Sequence, residues 1–318
     1  MKALVTGAAG FVGRHLVRHL LAEGDEICGV YKPGLPPATH DSIDWRPAEL
    51  LDAATVRALI REVQPDCIYH LAGQASVALS WTDPVGTFEA NVETTIVLFE
   101  AVLAAGIDPV VLVVGSNEMF GAARPEEQPL GESAPFRPAN PYATSKVAQD
   151  YLAYQYAVSR RLRTIRVRPF MHVGPGQRPD FAIASFARQI AAIEAGEQEP
   201  ILRVGNLDSA RDITDVRDIV RGYRLLVTRG RPGDAYNIGR GQAYRIGDLL
   251  EMLLSMAARP IQVEVDPERL RPADTPVVLC DTRKIEREIG WRPEIDLRTT
   301  LRDTLAYWRS QFGMKVRP

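Results

Sequence analysis

The stretch "TGAAGFVG", residues Thr6 to Gly13, lies between the apolar run "KALVT" and a segment of helical period. Its glycines, Gly7, Gly10 and Gly13, are three residues apart. We expect Gly7 to allow a tight turn, Gly10 to let a pyrophosphate approach the helix N-terminus, and Gly13 to let helix and sheet pack closely. A plain turn is the alternative, but three glycines at the first strand–helix junction favour a dinucleotide site.

Beyond this turn, short apolar runs alternate with longer stretches of helical period. The runs are "KALVT", "EICGVY", "DCIYHLA", "VVLVVGS" and "RTIRVRPF". Such alternation predicts an α/β fold, a Rossmann-like doubly wound parallel sheet covered on both faces. We expect this dinucleotide-binding domain to span residues 1–170, with a segment near 212–240 returning to it. The loop-rich remainder, 171–318, predicts a smaller mixed α/β substrate domain.

Composition excludes several classes of function. The 318 residues carry a net charge of −2, so no strong positive field favours nucleic acid or an anionic membrane. No apolar stretch is long enough to span a bilayer, and we expect no signal peptide, because the first ten residues are typical of a strand and a turn. Cys28, Cys67 and Cys280 are far apart, which argues against disulfides and a metal site and favours a reducing cytoplasm.

The second apolar run ends in "GVYKPG". An acid at this tip would read a free ribose 2′-hydroxyl, and none is present. Lys32 could instead accept a 2′-phosphate, so NADP(H) is favoured and NAD(H) remains possible. A solvated loop lysine is the alternative interpretation.

A tyrosine and a lysine stand one helical turn apart in "NPYATSK", as Tyr142 and Lys146. A free phenol has a pKa of about 10, and a neighbouring ammonium would lower it and make Tyr142 a usable acid or base. Alone, this pair could be an ordinary helix surface. Ser116, however, ends the run "VVLVVGS" on the ligand side of the sheet, where its hydroxyl could bind the oxygen that Tyr142 protonates. Asn91, in the preceding helix, is either a buried amide or a functional one.

Together with "HLAG" at His70–Gly73, "RDITDVRD" and "GWRP", these motifs resemble extended short-chain dehydrogenases/reductases that act on nucleotide sugars. The resemblance implies an NAD(P)-dependent enzyme with Ser116, Tyr142 and Lys146 as catalytic residues, and a homodimer formed through a four-helix contact. The residues expected to bind the cofactor are Gly7, Ala9, Gly10, Phe11, Val12, Gly13, Tyr31, Lys32, Glu49, Leu50, Leu71, Ala72, Gly73, Asn91, Tyr142, Lys146 and Pro169.

Within that family, "SVALSWTDP", "RPFMHVGPGQ" and "LRPADTP" are most similar to the GDP-mannose branch, which contains 4,6-dehydratases and 4-keto reductases. Chain length and "HVGPGQ" favour a reductase that makes GDP-D-rhamnose from a GDP-6-deoxy-4-keto-hexose. Arginine forks suit a pyrophosphate. The residues expected to bind the GDP-sugar are Gln74, Ser76, Ser116, Asn117, Glu118, Met171, Arg178, Arg211 and Arg271.

Three positions depart from the family pattern. Met171 replaces an asparagine that would reach the substrate phosphates, Phe120 lacks a phenol, and Asn117 stands where some dehydratases have an acid or a serine. Glu118 keeps a second catalytic reading open, because a carboxylate there takes the C5 proton in dehydratases. The alternatives to a reductase are therefore a dehydratase or epimerase that recycles a tightly bound cofactor, and a non-catalytic dinucleotide-binding module.

Overall fold

Thirteen β-strands form in the described part of this computed structural model, which covers residues 1–34, 42–269 and 275–314. In chain order they are β1 (Lys2–Thr6), β2 (Glu26–Tyr31), β3 (Asp44–Pro47), β4 (Cys67–His70), β5 (Val110–Val114), β6 (Thr164–Pro169), β7 (Met171–Val173), β8 (Ile201–Val204), β9 (Ala210–Asp215), β10 (Ala235–Ile238), β11 (Ala243–Arg245), β12 (Gln262–Val265) and β13 (Val277–Val278).

The same residues form eleven α-helices. They are α1 (Phe11–Ala22), α2 (Ala53–Val63), α3 (Val77–Thr82), α4 (Pro84–Phe88), α5 (Thr94–Ala105), α6 (Pro141–Arg160), α7 (Ala182–Ala195), α8 (Val216–Arg229), α9 (Ile246–Leu254), α10 (Arg283–Ile289) and α11 (Leu297–Gln311).

Seven strands form one parallel sheet in the order β3-β2-β1-β4-β5-β6-β10. The apolar runs predicted as strands lie in it, and their continuous apolar character reflects cover on both faces. Strand order reverses between β1 and β4, and the carboxyl ends of these strands open the crevice where such sheets bind ligands. The predicted doubly wound parallel sheet is confirmed. Sequence reasoning missed β3, whose "DWRP" is polar and ends in proline.

Two layers of helices cover this sheet. On one face α1, α8 and α10 bury a core that includes Leu16, Ile219 and the fully buried Trp291. On the other face α2, α5 and α6 bury a second core around Ile60 and Phe99. Because β10 pairs with β6 and α8 packs against α1, part of the chain beyond residue 170 belongs to the main sheet and its layers.

A smaller mixed α/β unit contains the remaining strands. β9 pairs with β7 and β13 in parallel and with β11 antiparallel, and β8 pairs with β12. Helices α7, α9 and α11 bury a third core with β8, which includes Ile190, Leu202, Leu249 and Leu301. This unit therefore has its own apolar interior beside the large sheet.

The segment "TFEANVETTIVLFEAVLAAG" has one helical period in the sequence but is not one α-helix. A π-helical turn at Glu89–Glu93 separates α4 from α5 and contains the fully buried Asn91. Such turns insert a residue into a helix and are frequent at functional sites. Among the described residues, no helix combines the length and apolar character needed to cross a bilayer.

Two valines that are register partners test the contribution of the third core. Val204 of β8 is fully buried, whereas Val265 of β12 is 60% exposed. We expect Val204→Ala to lower the free energy of unfolding by about 2 kcal/mol, because it removes two buried methyl groups and leaves a cavity. Val265→Ala, the matched control, should change it by less than about 0.5 kcal/mol. Urea unfolding curves measure both, and equal losses would contradict the assignment of this core.

Candidate active site

The glycine turn joins β1 to α1 beside the end of β4. Gly7 has a φ of +69°, and a Cβ there would lie 2.8 Å from the Ala72 nitrogen. A Cβ on Gly13 would lie 2.3 Å from the Gly7 oxygen. Both positions therefore require glycine, one for its backbone conformation and both for close contact.

The N-terminus of α1 suits an anion. Gly10 is the N-cap and brings no side chain to cap the helix, and the first turn contains no acidic residue. Asp52, Asn140 and Asp215, in contrast, cap α2, α6 and α8 with their side chains. The open N–H groups of the first turn of α1 fit a pyrophosphate.

Other residues expected at the cofactor surround this turn. The Phe11 ring stacks against His172 with centroids 6.1 Å apart, and Val12 packs against the first core. The Ala9 oxygen accepts a hydrogen bond of 2.7 Å from Arg14 Nε. Pro169, at the end of β6, is buried.

The loop after β4 lies against the turn. The Leu71 nitrogen donates to the Thr6 oxygen at 3.3 Å, and the Ala72 nitrogen donates to Thr6 Oγ1 at 3.1 Å. Gly73 has a φ of +159°, and a Cβ there would lie 2.5 Å from Asn91 Oδ1 and 3.8 Å from Lys146 Nζ. The loop thus links the glycine turn to the lysine.

At the tip of β2, Lys32 Nζ lies 4.0 Å from a Glu49 carboxylate oxygen, and the lysine side chain is 71% exposed. The Tyr31 ring meets Trp45 edge to face, and Leu50 is buried nearby in the chain. An exposed ammonium at this tip is free to approach a phosphate group.

Ser116 and Tyr142 come together at the end of β5. Ser116 begins a 3₁₀ turn, Asn117–Phe120, and its Oγ accepts the Glu118 N–H at 3.2 Å. Tyr142 lies in the first turn of α6 and is 8% exposed. Burial raises the pKa of Tyr142 to about 12; the Ser116 hydroxyl lowers this pKa, and the Glu118 carboxylate raises it.

Lys146 is buried one turn further along α6. Its Nζ donates to the Val114 oxygen at 2.9 Å and to Gln149 Oε1 at 2.9 Å, and burial lowers its pKa to about 8. The prediction that the pKa of Tyr142 is lowered is wrong. The phenol pKa lies above its ordinary value, because burial outweighs Ser116 and the ammonium is bonded elsewhere.

Asn91, predicted to bind the cofactor, acts as a cross-link. Its Oδ1 accepts from the Gln74 nitrogen at 2.8 Å, and its Nδ2 donates to the Gln74 oxygen at 3.1 Å and to Ser145 Oγ at 2.9 Å. Both amide protons are used inside the protein, so Asn91 positions the loop after β4 rather than offering an N–H to a ligand.

The residues expected at the sugar nucleotide fall into two groups. In the first group, Gln74 Nε2 donates to the Ser76 oxygen at 2.9 Å and to Thr87 Oγ1 at 3.0 Å. Ser76 Oγ caps α3, and Asn117 follows Ser116 directly. Asn140 Nδ2 donates to a Glu118 carboxylate oxygen at 3.3 Å, which holds that side chain beside the start of α6.

The second group lies in the smaller unit. Met171 is in β7 and packs against the third core, and Arg178 is 74% exposed and paired with Asp180. Arg211 is in β9, where its Nη1 donates to the Ala210 oxygen at 2.9 Å and to the Thr275 oxygen at 2.8 Å. Arg271 lies outside the described residues.

Sequence reasoning missed side chains that connect these parts, among them Thr6, Thr95 and Gln149. Gln149 follows Lys146 by three residues on α6, a spacing that puts both on one helix face. Thr95 is a polar residue in the otherwise apolar helix α5. Neither the spacing of Gln149 nor the polarity of Thr95 identifies a hydrogen-bond partner unless the fold is known.

Gly10→Ala tests whether the turn binds a dinucleotide. The added Cβ would meet only the Gly7 oxygen, at 3.1 Å, so the chain should still fold. It would occupy the path of the pyrophosphate, and we expect the dissociation constant for NADPH to rise roughly tenfold or more. Fluorescence titration measures this constant. Gly131→Ala, whose Cβ would meet only Asp281 at 3.7 Å, is the control; unchanged binding by Gly10→Ala would contradict the site.

The model of the GDP-mannose 4,6 dehydratase family matches residues 4–304. A GDP-6-deoxy-D-mannose reductase from Pseudomonas aeruginosa is 35% identical over 311 residues, which cover 98% of each chain. The structure of RMD from Pseudomonas aeruginosa complexed with NADPH shares 34% identity with a TM-score of 0.86, covering 98% of this chain and 99% of that one. UDP-glucose 4-epimerase of Thermus thermophilus, in complex with NAD, shares 28% identity with a TM-score of 0.87 and covers 97% and 99%. The chain therefore belongs to the GDP-mannose 4,6 dehydratase family, which confirms the resemblance that its motifs indicated.

Proposed function

We propose that the protein reduces the 4-keto group of a GDP-6-deoxy-4-keto-hexose to give GDP-D-rhamnose, with NAD(P)H as reductant. The observation that carries the proposal is the buried pair of hydroxyls, Ser116 and Tyr142, with the Lys146 ammonium buried one turn further along α6 and close to Gly73 in the loop after β4. The full-length similarity to a relative named GDP-6-deoxy-D-mannose reductase supports the substrate class.

The bound dinucleotide supplies the hydride, and the protein supplies position and a proton. Tyr142 donates its proton to the oxygen of the reduced carbonyl, and Ser116 holds that oxygen. A phenol with a raised pKa keeps its proton throughout the neutral range, which suits a proton donor. Lys146 has a third N–H for the cofactor ribose, and its charge stabilises the phenolate that proton transfer leaves.

NADP(H) is the favoured cofactor in this proposal. Lys32 is exposed at the tip of β2, and a 2′-phosphate there would gain a cationic partner. Glu49 lies 4.0 Å away and would weaken the preference, so NAD(H) is the second choice.

Substrate recognition is assigned to both parts of the chain. Gln74, Ser76, Asn117 and Glu118 would contact the sugar from the large sheet. Met171, Arg178, Arg211 and Arg271 would contact the GDP moiety from the smaller unit. We place the division between the two domains at residue 170, with the segment near 212–240 in the larger one.

A second candidate function is dehydration or epimerisation with a tightly bound, recycled cofactor. The position of Glu118 favours it: this carboxylate lies close enough to Tyr142 to raise the phenol pKa, and Asn140 holds it there. A carboxylate beside a keto sugar can remove the adjacent C–H proton.

We further propose a cytoplasmic homodimer in which α5 and α6 of two copies form a four-helix contact. α6 exposes apolar side chains, with Tyr151 at 56% and Val158 at 65%. An apolar groove also runs along α4, the π-helical turn and the start of α5, lined by Pro84, Val85, Phe88, Glu89, Val92, Glu93 and Ile96. A second copy would cover both surfaces.

Val85→Glu tests this dimer. Val85 is 68% exposed, so the monomer should tolerate the carboxylate, whereas a dimer would bury it in an apolar contact. Light scattering should give a dimer mass for the unaltered protein and a monomer mass for the variant. Val265→Glu places the same charge on the other unit and should leave the dimer intact. A monomeric unaltered protein would contradict the proposal.

The activity itself is tested with GDP-4-keto-6-deoxymannose. The purified protein should oxidise one NADPH for each sugar reduced. Tyr142→Phe should lower kcat by roughly 10²–10⁴-fold, because it removes the proton donor, and should leave the dissociation constant for NADPH unchanged. Tyr151→Phe, an exposed position on the same helix, is the control.

The outcome also separates the two candidates. Turnover of GDP-mannose by the protein as purified, with oxidised cofactor retained and no NADPH consumed, would support the dehydratase or epimerase. A Tyr142→Phe protein that keeps full activity would contradict the assigned proton donor in either case.

A further inference from the structure

A row of hydrogen-bonded side chains crosses the interior beneath the proposed catalytic site. We call it the polar row. Its members, all at least 90% buried, are Thr6, His70, Thr95, Gln149 and Lys146. It joins β1, β4, α5 and α6, four elements that are far apart in sequence.

The catalytic end of the polar row holds an ammonium. Lys146 Nζ donates to Gln149 Oε1 at 2.9 Å, and Gln149 Nε2 donates to Thr95 Oγ1 at 2.8 Å. The Thr95 hydroxyl donates its one proton to the Asn91 oxygen at 2.8 Å. The Gln149 amide is therefore fixed in one orientation, with its oxygen toward the lysine.

The other end of the polar row is neutral, and the direction of each of its hydrogen bonds is fixed as well. Because the Thr95 hydroxyl donates its proton to the Asn91 oxygen, Thr95 Oγ1 can only accept from His70 Nε2, 3.0 Å away. His70 Nε2 is therefore the donor. His70 Nδ1 then accepts from the Thr6 hydroxyl at 2.9 Å, and Thr6 Oγ1 accepts from the Ala72 nitrogen at 3.1 Å. Burial and, to a lesser extent, the charge of Lys146 lower the pKa of His70 to about 3, which keeps the ring neutral.

Carboxylates near the ammonium do not bind it. Asp150, on the next turn of α6, is bound by two guanidinium groups of β6: Arg166 Nη1 at 3.0 Å and Arg168 Nε at 2.9 Å. Asp150 is thereby neutralised. The Gln149 oxygen and the Val114 carbonyl are the two acceptors that the described residues give to Lys146.

We propose that Gln149 is a positioning residue: it holds the Lys146 ammonium one helical turn from Tyr142, and the polar row fixes the orientation of its amide. Deleting the Gln149 oxygen removes one of two acceptors from a buried cation, which destabilises the charged form. A carboxylate at the same position stabilises that form. The two substitutions therefore act in opposite directions.

Three other titratable groups face this region. Tyr142 lies one turn before Lys146, His70 approaches from β4, and Glu118 lies beside Tyr142. His70 stays neutral and the phenol keeps its proton across the range in which the lysine titrates, near pH 8. A change of the lysine titration in a Gln149 variant is thus assigned to position 149.

Lysine NMR provides the test, and the chain has only five lysines: Lys2, Lys32, Lys146, Lys284 and Lys315. With ¹³C at lysine Cε, the Lys146 signal is assigned by its loss in Lys146→Arg. We expect a midpoint near pH 8 for the unaltered protein, about one unit or more higher in Gln149→Glu and lower in Gln149→Met. Gln155→Glu adds the same charge at an exposed position of α6 and should leave the midpoint unchanged.

The same midpoint in Gln149→Glu, Gln149→Met and the unaltered protein overturns the proposal. So does a shift in Gln155→Glu as large as that in Gln149→Glu, because the charge would then act without contact. If Gln149→Met does not fold, the lysine midpoint of the isosteric Gln149→Glu, compared with that of the unaltered protein, still tests the proposal.

The effect of Gln149 on catalysis rests on the proposed reduction. It is measured by the pH dependence of kcat, separately from the NMR titration. The alkaline limit of kcat should move to higher pH in Gln149→Glu, because Lys146 keeps its proton longer. If this protein lacked keto-sugar reductase activity, the lysine titration would still be measurable. A failure of the proposed function is therefore distinguishable from a failure of this inference. A shifted lysine midpoint with an unmoved alkaline limit overturns the link from position to catalysis.

Discussion

A lysine ammonium buried against neutral oxygens is the interaction on which the rest of this site depends. In the described part of the chain, Lys146 is held by the Val114 carbonyl and by Gln149, without a carboxylate. A cation placed this way is costly unless its acceptors are fixed in advance. The parallel sheet fixes the first acceptor at the end of β5, and the packing of α6 on α5 fixes the second. Strand β5 and helix α6 also bring Ser116 and Tyr142 together.

Local rules predicted the parts of the site that depend on local geometry. The glycine turn followed from spacing, Ser116 from its place at a strand end, and the Tyr142–Lys146 pair from the helical repeat. The polar row could not be predicted, because its bonds beyond the Lys146–Gln149 pair of α6 join elements that only the fold brings together. The pKa of Tyr142 was predicted in the wrong direction for the same reason: burial is a property of packing and not of spacing. Likewise the π-helical turn contains Asn91, whose amide bonds Gln74 and Ser145, both distant in sequence.

Two departures from the family pattern, Phe120 and Met171, are explained by what their side chains pack against. Phe120 is buried in a small apolar cluster, with ring centroids 5.5 Å from Phe136 and 6.1 Å from Phe170, where a phenol would need a partner. Met171 packs against the third core from β7 and is half-buried. A site without the asparagine amide would bind the sugar nucleotide mainly through its arginines and the groups around Ser116.

The central claim is that this site transfers a hydride from the cofactor to a sugar ketone and releases both products. Isotope transfer tests it most directly: NADPH carrying deuterium at C4 of its nicotinamide is mixed with GDP-4-keto-6-deoxymannose, and the product sugar is analysed by NMR. The account predicts one deuterium at C4 of the sugar when the transferred face is labelled, with an equal amount of NADP⁺ formed. A product that contains no deuterium from either face of the nicotinamide would contradict it.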